Sequence, residues 1–291
     1  MSVFAAAWLI AACDDTTGTG GAGPSSGSTG TATHGSTSAV SGSSTSTSAS
    51  AGTGGAPQDP CAGRLLCDDF EDDTIGQAPG APWSVATNNG AVAIDGTHAH
   101  SGSRAVKVAT GAGQYKQAFF ATEGAPAFPI AGNIVYGRMM IYMDATANDG
   151  VHWTMIQGSG PLAGHDGVTS FYRYGGMWAG KMMANYETWG LSTDCWNNSE
   201  AVMPTGKWTC MEWKFDGPAN DMHFWLDGKE ISDLHVQDQG MGCGGHDLGD
   251  QWLAPTFEKM WLGWESYQND DAREAWIDDV ILDDAPIGCP P

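Results

Sequence analysis

Trp276-Ile277-Asp278-Asp279-Val280-Ile281-Leu282 is an apolar run of strand character broken by two adjacent carboxylates, and it closes the last patterned region of the chain. A second acidic cluster, Cys67-Asp68-Asp69-Phe70-Glu71, stands where that region begins. The first and last strands of an antiparallel sandwich can lie side by side, so carboxylates from both ends can meet around one hard cation such as calcium, which takes oxygen ligands. Two solvated strand ends fit the same spacing, and the residues alone leave both readings open.

Between the clusters, short alternating runs recur between Gly, Pro, Asn and Asp groups, the pattern of strands joined by turns. About a dozen strands are expected on this pattern, the clearest at 103–109, 134–143, 152–157, 170–174, 181–186, 208–215, 221–226, 259–267 and 274–282. Asp227-Gly228 directly after Phe224-Trp225-Leu226 is a hairpin signal. Long amphipathic helical patterns are absent, and 41 glycines disfavour helices further. The fold class is therefore all-β, a two-sheet antiparallel jelly-roll sandwich whose curved inner sheet forms a cleft.

Composition changes abruptly near residue 57. Residues 14–56 are nearly all Ser, Thr, Gly and Ala, without Phe, Trp or Tyr and without charge after Asp15. They offer too little apolar surface to offset the entropy of ordering and read as a disordered tether. Residues 57–291 hold every tryptophan except Trp8, and their length suits one all-β domain. Residues 1–13 are a short apolar run ending in Ile10-Ala11-Ala12-Cys13, which resembles the lipobox of bacterial lipoprotein signals, where the cysteine is lipidated and becomes the mature N-terminus. The run falls well short of the roughly 20 apolar residues of a spanning helix, so it reads as an export signal. That implies an exported, cell-surface or outer-membrane lipoprotein or a secreted protein, with a lipid on Cys13 as the one membrane link. No Lys or Arg precedes the run, a departure from the usual signal.

Six further cysteines, Cys61, Cys67, Cys195, Cys210, Cys243 and Cys289, are an even set, which in an exported chain points to disulfides. Cys61 with Cys67, and Cys195 with Cys210, are the pairs expected from proximity in sequence. No Cys-x-x-Cys occurs and the histidines lack zinc-finger spacing, so no structural zinc of that kind is expected.

Alternation predicts which side chains share a face. Met211, Trp213 and Phe215 oppose Cys210, Glu212 and Lys214; Met222, Phe224 and Leu226 oppose His223 and Trp225; Leu262, Trp264 and Ser266 oppose Trp261, Gly263, Glu265 and Tyr267. A face carrying tryptophan, tyrosine, carboxylate and cation suits a sugar, since rings stack on its apolar side while charged and amide groups hold its hydroxyls. Any one of these aromatics can equally pack under a loop; thirteen tryptophans, several on polar faces, favour a carbohydrate site.

The order of Cys67-Asp68-Asp69-Phe70-Glu71, His100-Ser101-Gly102-Ser103-Arg104-Ala105-Val106, Gly263-Trp264-Glu265-Ser266-Tyr267 and Trp276-Ile277-Asp278-Asp279-Val280 resembles secreted concanavalin A-like jelly rolls related to polysaccharide lyases, namely the cellulose-induced fungal proteins and their bacterial homologues, which are structurally similar to glucuronan and alginate lyases. The resemblance spans roughly Cys67 to Leu282. It implies a structural calcium joining the two ends, with Glu71, Ser101 and Asp278 as ligands by position, and Asp279 as the alternative within the doublet.

A lyase acting on a uronic-acid polysaccharide neutralises the sugar carboxylate, removes the C5 proton and protonates the leaving oxygen. The central strands supply Arg138, His152, Gln157, Arg173, Lys181, Asn185, Tyr186 and Tyr267. Arg173 is expected on the carboxylate, His152 as base and Tyr186 or Tyr267 as acid, with Trp178, Glu212, Lys214, His223, Trp225 and Glu265 joining Arg138, Gln157, Lys181 and Asn185 as substrate-binding residues. The Gln-x-His element of alginate lyases is missing; His152 and Gln157 stand in reverse order and further apart. Two other classes remain: a calcium-stabilised lectin-like module, and a glycoside hydrolase using two carboxylates about 5 Å apart, for which Glu212 and Glu265 are the candidates although the Glu-Ile-Asp-x-x-Glu signature of laminarinase-like jelly rolls is absent.

The net charge of −22 repels polyanions at range and excludes nucleic acid as a partner, since phosphate binding needs Lys and Arg. Arg138, Arg173, Lys181, Lys207 and Lys214 fall in the middle strands, as a positive groove or as scattered solubility charges. Gly-x-Ser-x-Gly, the Gly-x-x-x-x-Gly-Lys loop and His-Glu-x-x-His are all missing. Gly242-Cys243-Gly244-Gly245-His246 reads as a disulfide-tied loop, and His165-Asp166 and His246-Asp247 are isolated pairs with weak metal character. The partner expected is a polysaccharide, and the protein a monomer.

Overall fold

Period-two patterning carries through into seventeen strands in the computed structural model, which describes residues 60–290. The signal read at residues 1–13, with Cys13, and the whole of the tether at 14–56 lie outside the described residues. The first sheet runs, from one edge, through β13 (Lys229–Glu230), β12 (Asp221–Leu226), β11 (Trp208–Asp216), β6 (Ile134–Met143), β17 (Arg273–Asp283), β4 (Ala105–Thr110) and β3 (Gly90–Asp95), with β1 (Leu66–Asp68) beside β17 and β14 (Val236–Gln237) beside β12. The second runs through β15 (Gly242–Asp250), β10 (Thr193–Val202), β9 (Lys181–Trp189), β8 (Thr169–Met177), β7 (Trp153–Pro161), β16 (Lys259–Ser266), β5 (Lys116–Glu123) and β2 (Trp83–Asn88). All pairings between named strands are antiparallel, and the two-sheet antiparallel sandwich is the one expected.

The inner faces supply the core by alternation: Met211, Trp213 and Phe215 from β11, Met222 and Phe224 from β12, Tyr172 and Tyr174 from β8, Leu262 and Trp264 from β16, all buried. Trp153 stacks on Trp264 at 5.0 Å. The core tyrosines keep their phenols satisfied, Tyr172 donating to the Trp252 carbonyl and Tyr174 to the Leu234 carbonyl, each at 3.0 Å. Gly137 faces Trp213 across the β6–β11 ladder, and a Cβ there would come within 2.1 Å of the indole, so the absence of a side chain is what lets that ring lie flat on the sheet.

The two ends of the described domain meet as neighbouring strands, β1 beside β17. β17 is flanked on one edge first by β4, opposite Arg273 to Ile277, and then by β1, opposite Val280 to Leu282. Asp278 and Asp279 occupy the gap between these two partners, Asp279 with a positive φ of 47°, and the β6 ladder on the other edge shifts register at the same place.

The disulfides differ from expectation at one end. Cys61 pairs with Cys67 as read, but Cys195 bonds Cys243 and Cys210 bonds Cys289. Cys195 lies on β10 of the second sheet, directly across the ladder from Cys243, whereas Cys210 lies on β11 of the first sheet on the face opposite Met211. The core separates them, so proximity in sequence misled. The glycine-rich segment read as a loop is the edge strand β15, held by its Cys243 bridge.

Candidate functional site

Residues of the second sheet that point away from the core form a polar floor. Register aligns Trp261, Gln157, Arg173, Asn185 and Trp196 in one row from β16 to β10, and Lys259, Ser159, Phe171, Glu187 and Asp194 in the next. Glu265 and Tyr267 continue the β16 face. A tryptophan therefore stands at each end of a row whose middle is amide, guanidinium and amide.

Arg173 is the centre of this floor. Its Nε donates to Gln157 Oε1 at 2.5 Å, and its Nη1 pairs with the Glu187 carboxylate. Burial alone would lower the guanidinium, but Tyr267, Glu187 and Glu265 around it hold it above its ordinary value, so it stays charged. Glu265 is 5% exposed; burial pushes its carboxyl up, against the opposing pull of Arg173 and of hydrogen bonds from Tyr267 and Tyr115. The Tyr267 phenol donates to Glu265 Oε2 at 2.8 Å, and burial raises that phenol strongly, so it keeps its proton. Asn185 donates to Asp194 Oδ1 at 3.0 Å and to the Cys195 carbonyl at 2.8 Å.

Beside the floor opens a depression of about 320 Å³ lined by His152, Trp178, Asn185, Asp194, Trp196 and Gln268 among others. The His152 ring stacks on Tyr267 at 4.8 Å, and its Nε2 has no hydrogen-bond partner. Burial lowers its pKa to about 4, with Asp194 opposing and Arg173 reinforcing the shift, so the imidazole is neutral at physiological pH with a free nitrogen. Trp178 sits in the β8–β9 turn with φ of 44°, followed by Ala179 at 56° and Gly180 at 75°. A bulky residue in the left-handed region is a costly conformation; here it holds an indole that is 54% exposed over the depression.

Several expected site residues lie elsewhere. Tyr186 faces the core, packed on Tyr172 and Trp252, because neighbours on a strand point to opposite faces and Asn185 takes the outer one. Arg138, Glu212, Lys214, His223 and Trp225 stand on the outer face of the first sheet, with the whole core between them and the floor. There Glu212 Oε1 accepts the backbone N–H of Gly288 at 2.9 Å and Arg138 reaches the Gly288 carbonyl, so the pair anchors the C-terminal segment. Glu212 and Glu265 project from opposite sheets and cannot flank one glycosidic bond, which removes the hydrolase pair. The positive groove fails likewise: Arg173 meets Glu187, Lys181 meets Glu200, Lys207 meets Asp227 and Lys214 meets Asp216. Lys181 keeps the cleft face but lies at its end.

The floor also contains residues the sequence reading passed over: Glu187, Asp194, Trp196, Tyr115 and Gln117. Continuing the alternation of β9 past residue 186 puts Glu187 on the Asn185 face, so that one was within reach. Asp194 and Trp196 belong to β10, whose Asn- and Ser-rich sequence carries no strand signal.

At the chain ends, Asp278 is completely buried. Its Oδ2 accepts the backbone N–H groups of His100 at 2.8 Å and Ser101 at 3.1 Å, while Asp279 takes the Ser101 hydroxyl at 2.6 Å and His100 Nδ1 at 2.5 Å. Burial first and Asp279 second raise the Asp278 carboxyl to about 6. Glu71 accepts the N–H groups of Ser103 and Arg104, both at 2.7 Å. All three acidic side chains thus converge on the loop at 100–104.

A family model described as the Cip1-like core domain of polysaccharide lyase-like proteins matches residues 69–285. Among solved structures, the cellulose-induced protein Cip1 superimposes with a TM-score of 0.56 at 24% identity, covering 77% of this chain and 100% of its own. An endo-β-1,4-glucuronan lyase from the fungus Trichoderma reesei does so with a TM-score of 0.50 at 11% identity, covering 76% of this chain and 96% of its own. No curated protein sequence matches the chain.

Proposed function

Because the chain belongs to the Cip1-like family of polysaccharide lyase-like proteins and is thereby a carbohydrate-active protein, we propose that it is an extracellular lyase that cleaves a uronic-acid polysaccharide by β-elimination in the cleft of the second sheet. The observation that carries this reading is His152, neutral, with an unpartnered nitrogen, stacked on a protonated Tyr267 beside the depression. His152 takes the C5 proton, the C5 electron pair expels the O4 substituent to form the C4–C5 double bond, and Tyr267 donates the proton to the leaving oxygen. Arg173 Nη2 and Gln157 Nε2, which carry no protein hydrogen bond among the described residues, supply donors for the substrate carboxylate, and Trp178 and Trp196 supply stacking faces.

Incubation with a panel of uronans should give rising near-ultraviolet absorbance from the new double bond. His152→Ala should lower the rate by about 100-fold or more, the usual contribution of a general base, with the fold intact. Because His152 must be neutral to accept a proton, kcat/KM should fall as pH drops through about 4 and not through the ordinary histidine value near 6.5. Full activity in His152→Ala would remove this assignment.

A second reading, a lectin-like module, has its own support: the floor sets Glu187, Glu265 and Asp194 against Arg173 and Lys259, and these cations are already engaged by Glu187 and Glu123. Retention of glycans without any double-bond product is its signature.

A calcium ion at the joined ends is part of the proposal. The donors fit: they are all oxygen, and the buried Asp278 and adjacent Asp279 set two carboxylates side by side against the loop at 100–101. Asp278 and Asp279 would hold the ion with the Glu71 and Ser101 segments closing around it, stabilising the β1–β17 junction and taking no part in chemistry. The three disulfides agree with an oxidising compartment. We propose Cys13 as the lipidated residue of the exported chain; mass spectrometry of the mature N-terminus should find it acylated, and an unmodified Cys13 would overturn this.

A further inference from the structure

On the outer face of the first sheet, remote from the cleft, Asp221 and His223 point the same way from β12 because they are two residues apart on one strand. β14 runs beside β12 with Met222 opposite Val236 and Asp221 opposite Gln237, so one step further along the ladder brings His235 opposite His223. The two imidazoles stack at 3.9 Å with 18° between their planes. Asp221 reaches both: its Oδ2 lies 2.8 Å from His223 Nε2 and its Oδ1 lies 2.9 Å from His235 Nε2.

The backbone that carries these groups is fixed by the core. Met222, Leu234 and Val236, the neighbours of the three side chains, are all buried, Tyr174 holds the Leu234 carbonyl at 3.0 Å, and Asn197 holds the Asp233 carbonyl at 2.7 Å. Three ligand atoms of types favoured by zinc and its neighbours therefore converge from β12 and from the residue just before β14, all within 4.8 Å of one another.

The surroundings of His223 single out this cluster. Its Nδ1 lies 2.7 Å from Glu230 Oε1 while its Nε2 faces Asp221. With a metal ion on Nε2, Nδ1–H donates to Glu230, giving the carboxylate–histidine–metal arrangement that orients metal ligands. Asp216, Asp221 and Glu230 surround the position with Lys214 as the opposing charge, Lys214 being paired to Asp216 at 2.8 Å and 3.9 Å from Asp221, so a divalent cation balances the local charge.

We propose that Asp221, His223 and His235 form a binding site for a divalent transition-metal ion of the zinc class, with Glu230 orienting His223 and a fourth position open to solvent or to a ligand in the adjoining groove, which Lys214, His223, Trp225 and Pro286 help to line. A tetrahedral zinc with bonds near 2.0–2.1 Å needs donors about 3.3 Å apart. The present separations from Asp221, 2.8 Å to His223 and 2.9 Å to His235, open to that by small side-chain movements of the two histidines, whose side chains are 20% and 41% exposed. The bound ion ties the 231–237 segment to β12 at the edge of the sheet. The site takes nitrogen ligands, which separates it from the oxygen-only cluster at the chain ends.

The test is calorimetric titration of zinc chloride into the full-length, chelator-stripped protein in buffer with excess calcium, repeated with cobalt(II) and read in the visible spectrum. Wild type should bind one zinc and give the intense bands of tetrahedral cobalt. His235→Ala and Asp221→Asn should each weaken zinc by at least ~10–100-fold, Glu230→Gln by ~10-fold, and His246→Ala should change nothing. His235 is partly exposed, so its alanine variant folds even where a change at Asp221 does not. Absence of zinc binding in wild type, or binding of equal strength in His235→Ala, overturns the proposal.

Discussion

Arg173→Met is expected to destabilise the protein by about 3–5 kcal/mol, and adding Glu265→Gln to it is expected to recover most of that loss. Arg173 is 4% exposed and stands between Glu187 and Glu265, whose charges sustain its own. Removing one partner of a buried ion pair leaves the other charge without compensation, which costs roughly this amount. Glu187 has 30% of its side chain in solvent and can turn outward to be hydrated. Glu265, buried and already pushed toward its neutral form, cannot, so most of the penalty falls on it. The sign with pH follows. A carboxyl whose folded pKa is raised above its unfolded one destabilises the fold above the folded pKa and does not below the unfolded one. Losing Arg173 raises Glu265 further, so the gap between wild type and Arg173→Met should narrow as pH falls into the acid range. Denaturant unfolding of the two single variants and the double variant forms a cycle; purely additive losses would show that Arg173 does not balance Glu265.

The same arginine marks how far a sequence reading reaches. Its strand and its outward direction follow from period-two alternation, whereas its company with Gln157 and Asn185 needs the pairing of β8 with β7 and β9 as well. What alternation cannot give is which strand lies next to which. Glu212 and Glu265, or Arg138 and Arg173, look equivalent along the chain, and only the crossing of β11 and β6 into the first sheet puts the core between them. Cys195 and Cys210 failed as a pair for the same reason. Tyr186 is a different kind of error: beside Asn185 on one strand it had to face inward, so the alternation rule itself excluded it. β10 and β15 were invisible because Asn, Ser and Gly carry weak strand preference, and their pairing comes from neighbours and from the Cys195–Cys243 bridge. The meeting of the domain's two ends was one of two readings that the acidic clusters left open, and the pairing of β1 with β17 decides for it.

That junction carries the other large expected effect, the response to removing the calcium proposed there. Asp278 and Asp279 occupy the place where the edge of β17 passes from β4 to β1; Asp278 accepts the backbone N–H groups of His100 and Ser101, and Asp279 beside it accepts the Ser101 hydroxyl. Like charges this close repel, more strongly where burial reduces screening. A calcium ion seated on them converts that repulsion into attraction and links β17 to the loop at 100–104 and the Glu71 segment. An ion that binds the folded state alone adds about 4 kcal/mol when present at a thousandfold over its Kd, which for a domain of this size corresponds to about 10 °C in Tm. Chelation should therefore lower Tm by about 10 °C, with calcium restoring it and magnesium, smaller and reluctant to shed water, restoring little. In Asp278→Asn the melting temperature should no longer respond to calcium, while the zinc response assigned to Asp221, His223 and His235 stays. A wild-type Tm indifferent to chelator and to calcium would mean that the backbone N–H groups and His100 neutralise the doublet by themselves, and that the ends are joined by strand pairing alone.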